Sequence, residues 1–370
     1  MDSWFEGEFN KAVSEISMDS SPGLCQFSVL GSTNADVFGY DKTDRMPACD
    51  PERLQMVKWA VRHRMNQLLL DNYESDNINV FVKPEPHKNA KLETGRLRLI
   101  SAVSLVDTMI DRVLFGWLQR KALTVVGRTP CLTGWTPLRG GWRYVYDRFK
   151  NKRVCCLDKS SWDWTVQGYM VDLWKEFIKE LCVGAPPEWE VLMEARFKIL
   201  FEEAVFEFKD GSQVKQGTKG IMKSGCLLTL LMNSVGQSML HYLASDRVGR
   251  NPMSCQPITI GDDTTQESFD ELPEYVEQIA RLGAKVKGFK VQNWVEFIGF
   301  AFAHDTCFPA YWQKHLFKLQ YCDLSDSIMS YQVLYANEPV MFKLVQDLAV
   351  EVDTEQVVSE RYAKRIFNNY

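Results

Sequence analysis

Two short apolar runs, each ending in acid, constrain this chain more than any other feature. Arg153-Val-Cys-Cys-Leu157 leads straight into Asp158, and Pro257-Ile-Thr-Ile260 leads into Gly261-Asp262-Asp263. A brief unbroken apolar run reads as a strand covered on both faces. Carboxylates just past two such strands converge when the strands are neighbours in one sheet, with Asp262-Asp263 at a hairpin turn. A third cluster lies between them in sequence: Ser224-Gly225, then Thr229 and Asn233. Gly-Asp-Asp alone is ordinary turn vocabulary. The order and spacing of all three clusters carry the weight.

Around these clusters strands and helices alternate irregularly. Asp50-Pro51-Glu52 opens a helix, with Asp50 as N-cap and Pro51 in the first turn, and apolar positions recur at helical spacing to Leu70. Asn79–Val82 reads as a strand, and Leu105–Leu123, Tyr169–Leu181 and Pro187–Glu203 read as helices. Val205–Phe208 and Gln213–Gln216 flank Asp210-Gly211 as a hairpin. Gly225–Ala244 reads as a long apolar helix on which positions 225, 229 and 233 line up. Glu271–Leu282 is a helix stopped by Gly283, and Trp312–Tyr370 is mostly helical. The pattern predicts an α+β chain rather than a repeat of βαβ units.

The acidic positions suit one kind of chemistry. Magnesium takes hard oxygen ligands and keeps several waters, so a few carboxylates suffice. Two such ions roughly 3.5–4 Å apart activate an attacking oxygen and neutralise a pyrophosphate leaving group. The predicted ligands are Asp158, Asp262 and Asp263, with two magnesium ions as cofactor and manganese as a substitute. Asp163, five residues beyond Asp158, is too far along to share those ions and is placed to meet a ribose. Ser224, Thr229 and Asn233 sit among Leu227, Leu228, Leu230, Leu231 and Met232. Polar groups on a buried helix need partners, and a nucleotide's sugar is a suitable one.

Composition narrows the classes further. The chain has 370 residues, 45% of them hydrophobic, enough for a large core. A formal net charge of -5 argues against nucleic-acid binding through overall charge. Basic residues cluster locally instead, at Lys83, Lys88, Lys91, Arg96 and Arg98, and again from Arg139 to Arg153. The ten cysteines are scattered without a Cys-x-x-Cys, which argues against a zinc site and a disulfide framework. No apolar run approaches the roughly 20 residues of a membrane helix, and the N-terminus lacks signal-peptide regions. The expectation is a protein without a transmembrane segment, not secreted, in a reducing cytosolic compartment.

With these residues in view, the chain resembles viral RNA-dependent RNA polymerases. Asp158-Lys-Ser-Ser-Trp-Asp163-Trp164, Lys223-Ser224-Gly225 to Asn233-Ser234, and Ile260-Gly261-Asp262-Asp263 are similar to the three palm motifs in their order. The wording is closest to the sobemovirus and polerovirus group. Phe81-Val82-Lys83-Pro-Glu85 to Arg96-Leu97-Arg98 resembles the fingers motif of the nucleotide channel, an echo that extends to Ser104-Leu105-x-Asp107. The resemblance implies that Lys83, Lys91 and Arg98 contact the triphosphate, with Arg96 in support. Arg grips phosphate oxygens in pairs, whereas Lys supplies a point charge. It implies that Asp163, Ser224, Gly225, Thr229 and Asn233 bind the incoming nucleotide. It also implies that Lys290 protonates the pyrophosphate, with Lys287 as a competitor. Two departures stand out, Lys159 after Asp158 and Thr264-Thr-Gln after Asp263.

The architecture so implied is a closed right hand of α+β class. Fingers with an N-terminal segment take residues 1–152, palm with an antiparallel sheet takes 153–182 and 219–300, a fingers insertion takes 183–218, and a small helical thumb takes 301–370. Implied partners are an RNA template and nascent strand, ribonucleoside triphosphates, and a viral genome-linked protein. The implied setting is replication complexes of the host cytoplasm. A reverse transcriptase shares palm geometry, but Asp163 and Asn233 suit a 2′-hydroxyl where a DNA-making enzyme places a bulky side chain. Ser75-Asp-Asn77, Ser212-x-x-Lys215 and Lys223-Ser-Gly225 echo penicillin-recognising serine enzymes in the wrong order. A phosphate loop at Gly220–Gly225 fails because Cys226 stands where lysine is required. A non-catalytic RNA-binding scaffold is disfavoured because every candidate metal ligand is present.

Overall fold

The computed structural model describes residues 1–369 other than 42, 44, 45, 73 and 74. The chain forms two compact units, one of Met1–Thr124 with Ser161–Met232 and the other of Val125–Ser160 with Asn233–Tyr370. The strands in chain order are β1 (Ile78–Val82), β2 (Leu99–Ala102), β3 (Val154–Lys159), β4 (Val205–Phe208), β5 (Gln213–Lys215) and β6 (Ile258–Ile260). They continue as β7 (Asp263–Glu267), β8 (Val286–Gln292), β9 (Val295–Phe297), β10 (Phe300–Ala303) and β11 (Thr306–Pro309). Among the described residues no helix is long and apolar enough to cross a membrane.

The first unit holds a mixed sheet in the order β2-β1-β4-β5, with β1 and β4 parallel and the other pairs antiparallel. The helix Pro51–Leu69 starts as its sequence demands, with the Asp50 carboxylate accepting from the Arg53 N–H. An ion network, fully buried at Arg196, Asp107 and Asp111 and partly exposed at Arg64 and Asp76, joins this helix to two others, Leu105–Thr124 and Glu188–Phe201. Arg196 donates through Nε and Nη2 to the two carboxylate oxygens of Asp111 at 2.8 and 3.2 Å. Its Nη1 lies 3.4 Å from Asp107, which also takes Arg64 at 3.0 Å. Arg64 in turn pairs with Asp76, whose carboxylate accepts from Ser104 Oγ at 2.6 Å. Burial pushes the Asp111 carboxyl above its ordinary value, and Arg196 offsets part of that rise. The Ser104 and Asp107 of the fingers-like segment are therefore structural members of this network.

The second unit is built on an antiparallel sheet in the order β6-β7-β3-β8. A three-stranded antiparallel sheet, β11-β10-β9, follows it. The run expected to be a strand over Arg153–Leu157 is β3, and it continues through Asp158 to Lys159 with a bulge between those two residues. Its core contacts are apolar: Val154 and Ile258 pack in one cluster with Trp142, Phe149, Phe297 and Phe302. Helices Trp312–Tyr321, Ile328–Leu334, Pro339–Val352 and Glu360–Asn368 fill most of the C-terminal stretch predicted to be helical. The end of that prediction, Tyr370, lies outside the described residues.

One expectation needs correction. The long helix predicted from Gly225 begins at Thr229 and runs to Arg247. Residues 224–228 are turns instead, because the Gly225 N–H is committed to the Ser101 carbonyl at 3.1 Å and Cys226 N–H to the Lys223 carbonyl at 3.0 Å. Gly225 is therefore off the helix, and positions 225, 229 and 233 do not form one helical row.

The ion network generates a stability prediction. Removing one partner from a buried pair leaves an uncompensated charge, which costs about 3–5 kcal/mol. Arg196→Met is expected to lower unfolding free energy by about that amount. Adding Asp111→Leu to it is expected to recover part of the loss, as read by urea denaturation of the three proteins.

Candidate active site

The three predicted metal ligands do come together, in the second unit. The β6–β7 hairpin turns at Gly261-Asp262, with Ile260 paired to Asp263 across it. Gly261 sits at φ +61°, a left-handed value at the first loop position that favours glycine. Its N–H donates to the buried Ser234 Oγ at 2.8 Å, and Thr259 Oγ1 donates to the Ser234 carbonyl at 2.9 Å. Ser234, next to Asn233 on the helix Thr229–Arg247, thus anchors the acidic turn. In the adjoining strand β3, successive side chains alternate faces. Cys155, Leu157 and Lys159 point one way into the interior, while Cys156 and Asp158 face a cleft of about 620 Å³.

Charge is concentrated here. Partial burial, then the negative charges of Asp262 and Asp158, push the Asp263 carboxyl up to about 6. Beneath the cluster the fully enclosed Lys159 ammonium donates to Thr264 Oγ1 at 2.9 Å. Burial drives Lys159 down to about 8, while Asp262, Asp263 and Asp158 pull in the opposite direction. From the open side Lys287 Nζ stands 2.9 and 3.1 Å from the two Asp158 carboxylate oxygens. Lys290 lines the same cleft and acts on Glu296, whose carboxyl burial raises and Lys290 lowers. Tyr311 donates its hydroxyl to Glu296.

The donor set fits hard divalent cations. Asp262 and Asp263 at the turn lie near Asp158 on β3, and after burial the charges of Asp262 and Asp158 are the next causes of the raised Asp263. Among the described residues no group of three or more His, Cys, Asp or Glu side chains is arranged as a finished ligand set. At Asp158 both carboxylate oxygens accept from the Lys287 ammonium.

The remaining predicted residues fall in the first unit, except Asn233, which is buried in the first turn of its helix in the second. Lys83 and Arg98 are brought together by Glu85, at 3.4 and 2.9 Å. Glu85, rather than Glu93 nearer in sequence, pairs with Arg98, where the Lys83 N–H bonds the Arg98 carbonyl and closes the segment on itself. Lys91, in the short helix Asn89–Glu93, and Arg96 are exposed beside it. Asp163 lies half-buried in the short helix Trp162–Thr165, and its carbonyl accepts from the Met222 N–H at 2.8 Å. Ser224 Oγ accepts from the Ser101 N–H at 3.0 Å. A Cβ on Gly225 would meet the Ser101 carbonyl at 2.7 Å, so only glycine fits. Thr229 Oγ1 turns back to the Lys223 and Cys226 carbonyls.

Sequence reasoning did not assign roles to Ser234, Lys223, Glu85 or Glu296. Lys159 was visible only as a departure, although strand alternation from Leu157 puts it on the inward face. Lys223 is fully buried, and burial drives its ammonium down to about 7.

A chain carrying an acidic hairpin turn beside an acid-ended strand, on an antiparallel sheet, has clear relatives. Residues 8–293 match the family described as viral RNA-dependent RNA polymerase, and the chain belongs to that family. Replicase polyprotein P2AB of Southern bean mosaic virus is 30% identical over 335 residues, covering 86% of this chain and 33% of that polyprotein. Protein P1-P2 of potato leafroll virus is 26% identical over 343 residues, covering 85% and 30%. The chain thus spans about a third of the length of these curated relatives. Among solved structures, a Sicinivirus 3Dpol RNA-dependent RNA polymerase superposes with a TM-score of 0.71 at 17% identity. That match covers 95% of this chain and 77% of the other, so the α+β polymerase fold is shared.

The raised Asp263 carboxyl sets a pH dependence. Its pKa rises from 3.8 to about 6 on folding, so the folded state disfavours the charged form. The resulting stability penalty is absent below the unfolded value, grows between 3.8 and about 6, and is complete above that. In metal-free buffer the melting temperature is expected to fall across this window relative to Asp263→Asn. Magnesium is expected to raise the wild-type melting temperature at pH 7 more than at pH 5. Equal shifts at both pH values would contradict the assignment.

Proposed function

We propose that this chain carries out template-directed synthesis of RNA from ribonucleoside triphosphates, for replication and transcription of a viral RNA genome. The observation that supports it most is the crowding of Asp158, Asp262 and Asp263 at one turn, in a member of the viral RNA-dependent RNA polymerase family. Asp158, Asp262 and Asp263 are the residues to hold two magnesium ions, with manganese as a substitute, whose chemistry is to activate the 3′-hydroxyl and neutralise the leaving pyrophosphate. Lys287 serves as the counter-charge of Asp158 before they bind. Lys290, free of that carboxylate and in the same cleft, keeps the role of proton donor to the pyrophosphate.

Within the first unit, Lys83, Lys91 and Arg98 hold the triphosphate, supported by Arg96, and Glu85 pairs with Lys83 and Arg98. Asp163, with Asn233, recognises the ribose 2′-hydroxyl, and Ser224, Gly225 and Thr229 shape the loop that presents it. In polymerase terms, residues 1–152 and 183–218 serve as fingers, 153–182 and 219–300 as palm, and 301–370 as thumb. The partners are an RNA template, the nascent strand and a viral genome-linked protein, in replication complexes of the host cytoplasm.

Primer extension on a defined RNA template tests the reading directly. Asp262→Ala and Asp158→Ala are each expected to lower magnesium-dependent nucleotide incorporation by at least about 100-fold, since several kcal/mol of charge stabilisation is lost, while RNA binding stays near wild type. Near-normal incorporation by either variant would sink it. Running the assay with and without primer reads the mode of initiation.

Arg98→Lys separates the triphosphate role from a merely structural one. Lysine keeps the charge and loses the paired donors, so the Michaelis constant for nucleotides is expected to rise about 3- to 10-fold with RNA affinity unchanged. Glu85→Ala, which frees Arg98 and Lys83, is expected to move the same constant and not RNA affinity. A change confined to RNA binding would refute the role.

A further inference from the structure

The loop between Gln216 and Gly225 is tied at both ends to segments of the proposed nucleotide site. On one side the Ile221 and Met222 N–H groups donate to the Val166 and Asp163 carbonyls at 3.1 and 2.8 Å. On the other, Ser224 and Gly225 each bond Ser101. Between these ties Ile221 sits at φ +53°, a left-handed value that is a true outlier for a β-branched residue. Such a conformation persists only where its surroundings over-determine it.

Lys223 supplies that constraint. Its ammonium, with no solvent exposure, donates to the Ile221 carbonyl at 2.9 Å and to Gln216 Oε1. The Gln216 amide nitrogen, with two N–H donors, lies within hydrogen-bond distance of the Phe201, Thr218 and Gly220 carbonyls at 2.6, 2.7 and 3.0 Å. The ammonium also lies 5.5 and 5.4 Å from the ring centroids of Phe201 and Phe206. Burying an ammonium among dipoles and rings is costly, and a loop that needed only filled space would be served by a methionine. Charged donors form stronger hydrogen bonds, and rings attract a desolvated cation more strongly.

We propose that Lys223 is a positioning residue: its buried ammonium holds Ile221 left-handed, sets Ser224 and the Asp163 segment in register, and so maintains preference for ribonucleotides over 2′-deoxynucleotides. This rests on the reading of Asp163 as a ribose-recognising residue.

The test is single-nucleotide incorporation with both sugars, alongside thermal melting, for wild type, Lys223→Met, the double variant Lys223→Met with Ile221→Gly, and Asp163→Ala. Lys223→Met is expected to raise KM for ribonucleotides more than it lowers kcat and to cut the ribose preference about 10-fold. Glycine accepts positive φ without strain, so the double variant is expected to melt higher than Lys223→Met and to regain much of the preference. A space-filling role for Lys223 predicts no such rescue. An unchanged preference in Lys223→Met beside a lost one in Asp163→Ala overturns the role of Lys223 alone. An unchanged preference in Asp163→Ala overturns the sugar reading itself. If Lys223→Met is too unstable to assay, the double variant melting no higher than the single overturns the strain-relief account.

Discussion

Mutual repulsion of the carboxylates at the end of β3 and the β6–β7 turn is the constraint around which the second unit is organised. Burial, and then the charges of Asp262 and Asp158, raise the Asp263 carboxyl to about 6. The fold answers with cations from two sides. Lys159 approaches from the interior, held by Thr264, and Lys287 approaches from the cleft to grip Asp158. Burial keeps the Asp263 carboxyl raised even with Lys159 nearby. A site left short of positive charge by its own protein is prepared to take it from divalent ions.

Holding repelling groups in place requires a rigid frame. The antiparallel sheet supplies it through ladder bonds on both sides of β3, and strand alternation turns Asp158 to the cleft and Lys159 to the interior. Ser234 adds the link that sequence spacing hints at without explaining. Its hydroxyl takes the Gly261 N–H, so the helix carrying Asn233 and the turn carrying Asp262 are joined by a buried hydrogen bond. Motifs that read as separate in the chain are one mechanical piece here.

The first unit solves a different problem with the same means. Its helices are pinned by Arg196, Arg64 and their aspartates, and its loop from Gln216 to Gly225 by Lys223. Both arrangements bury charge where apolar side chains would pack more cheaply. What they add is geometry, because charged donors fix directions that a hydrophobic contact leaves free.

Much of this was legible in the chain. Apolar runs ending in acid specified β3 and the β6–β7 hairpin, Asp50-Pro51 specified a helix start, and the order of the motifs indicated the polymerase fold. These are local signals: periodicity, caps and turn residues act within a few positions. The sequence also identified Asp158, Asp262 and Asp263 as a set, because chemistry restricts which residues can share one task. Tertiary structure alone decided the partners. Glu85 rather than Glu93 meets Arg98, Lys287 meets Asp158, and Ser101 claims Gly225 and so delays the helix to Thr229. Each of these depends on which segment the fold places within hydrogen-bonding distance of a polar group that needs a partner. Spacing along the chain does not encode that, because the choice belongs to packing in three dimensions.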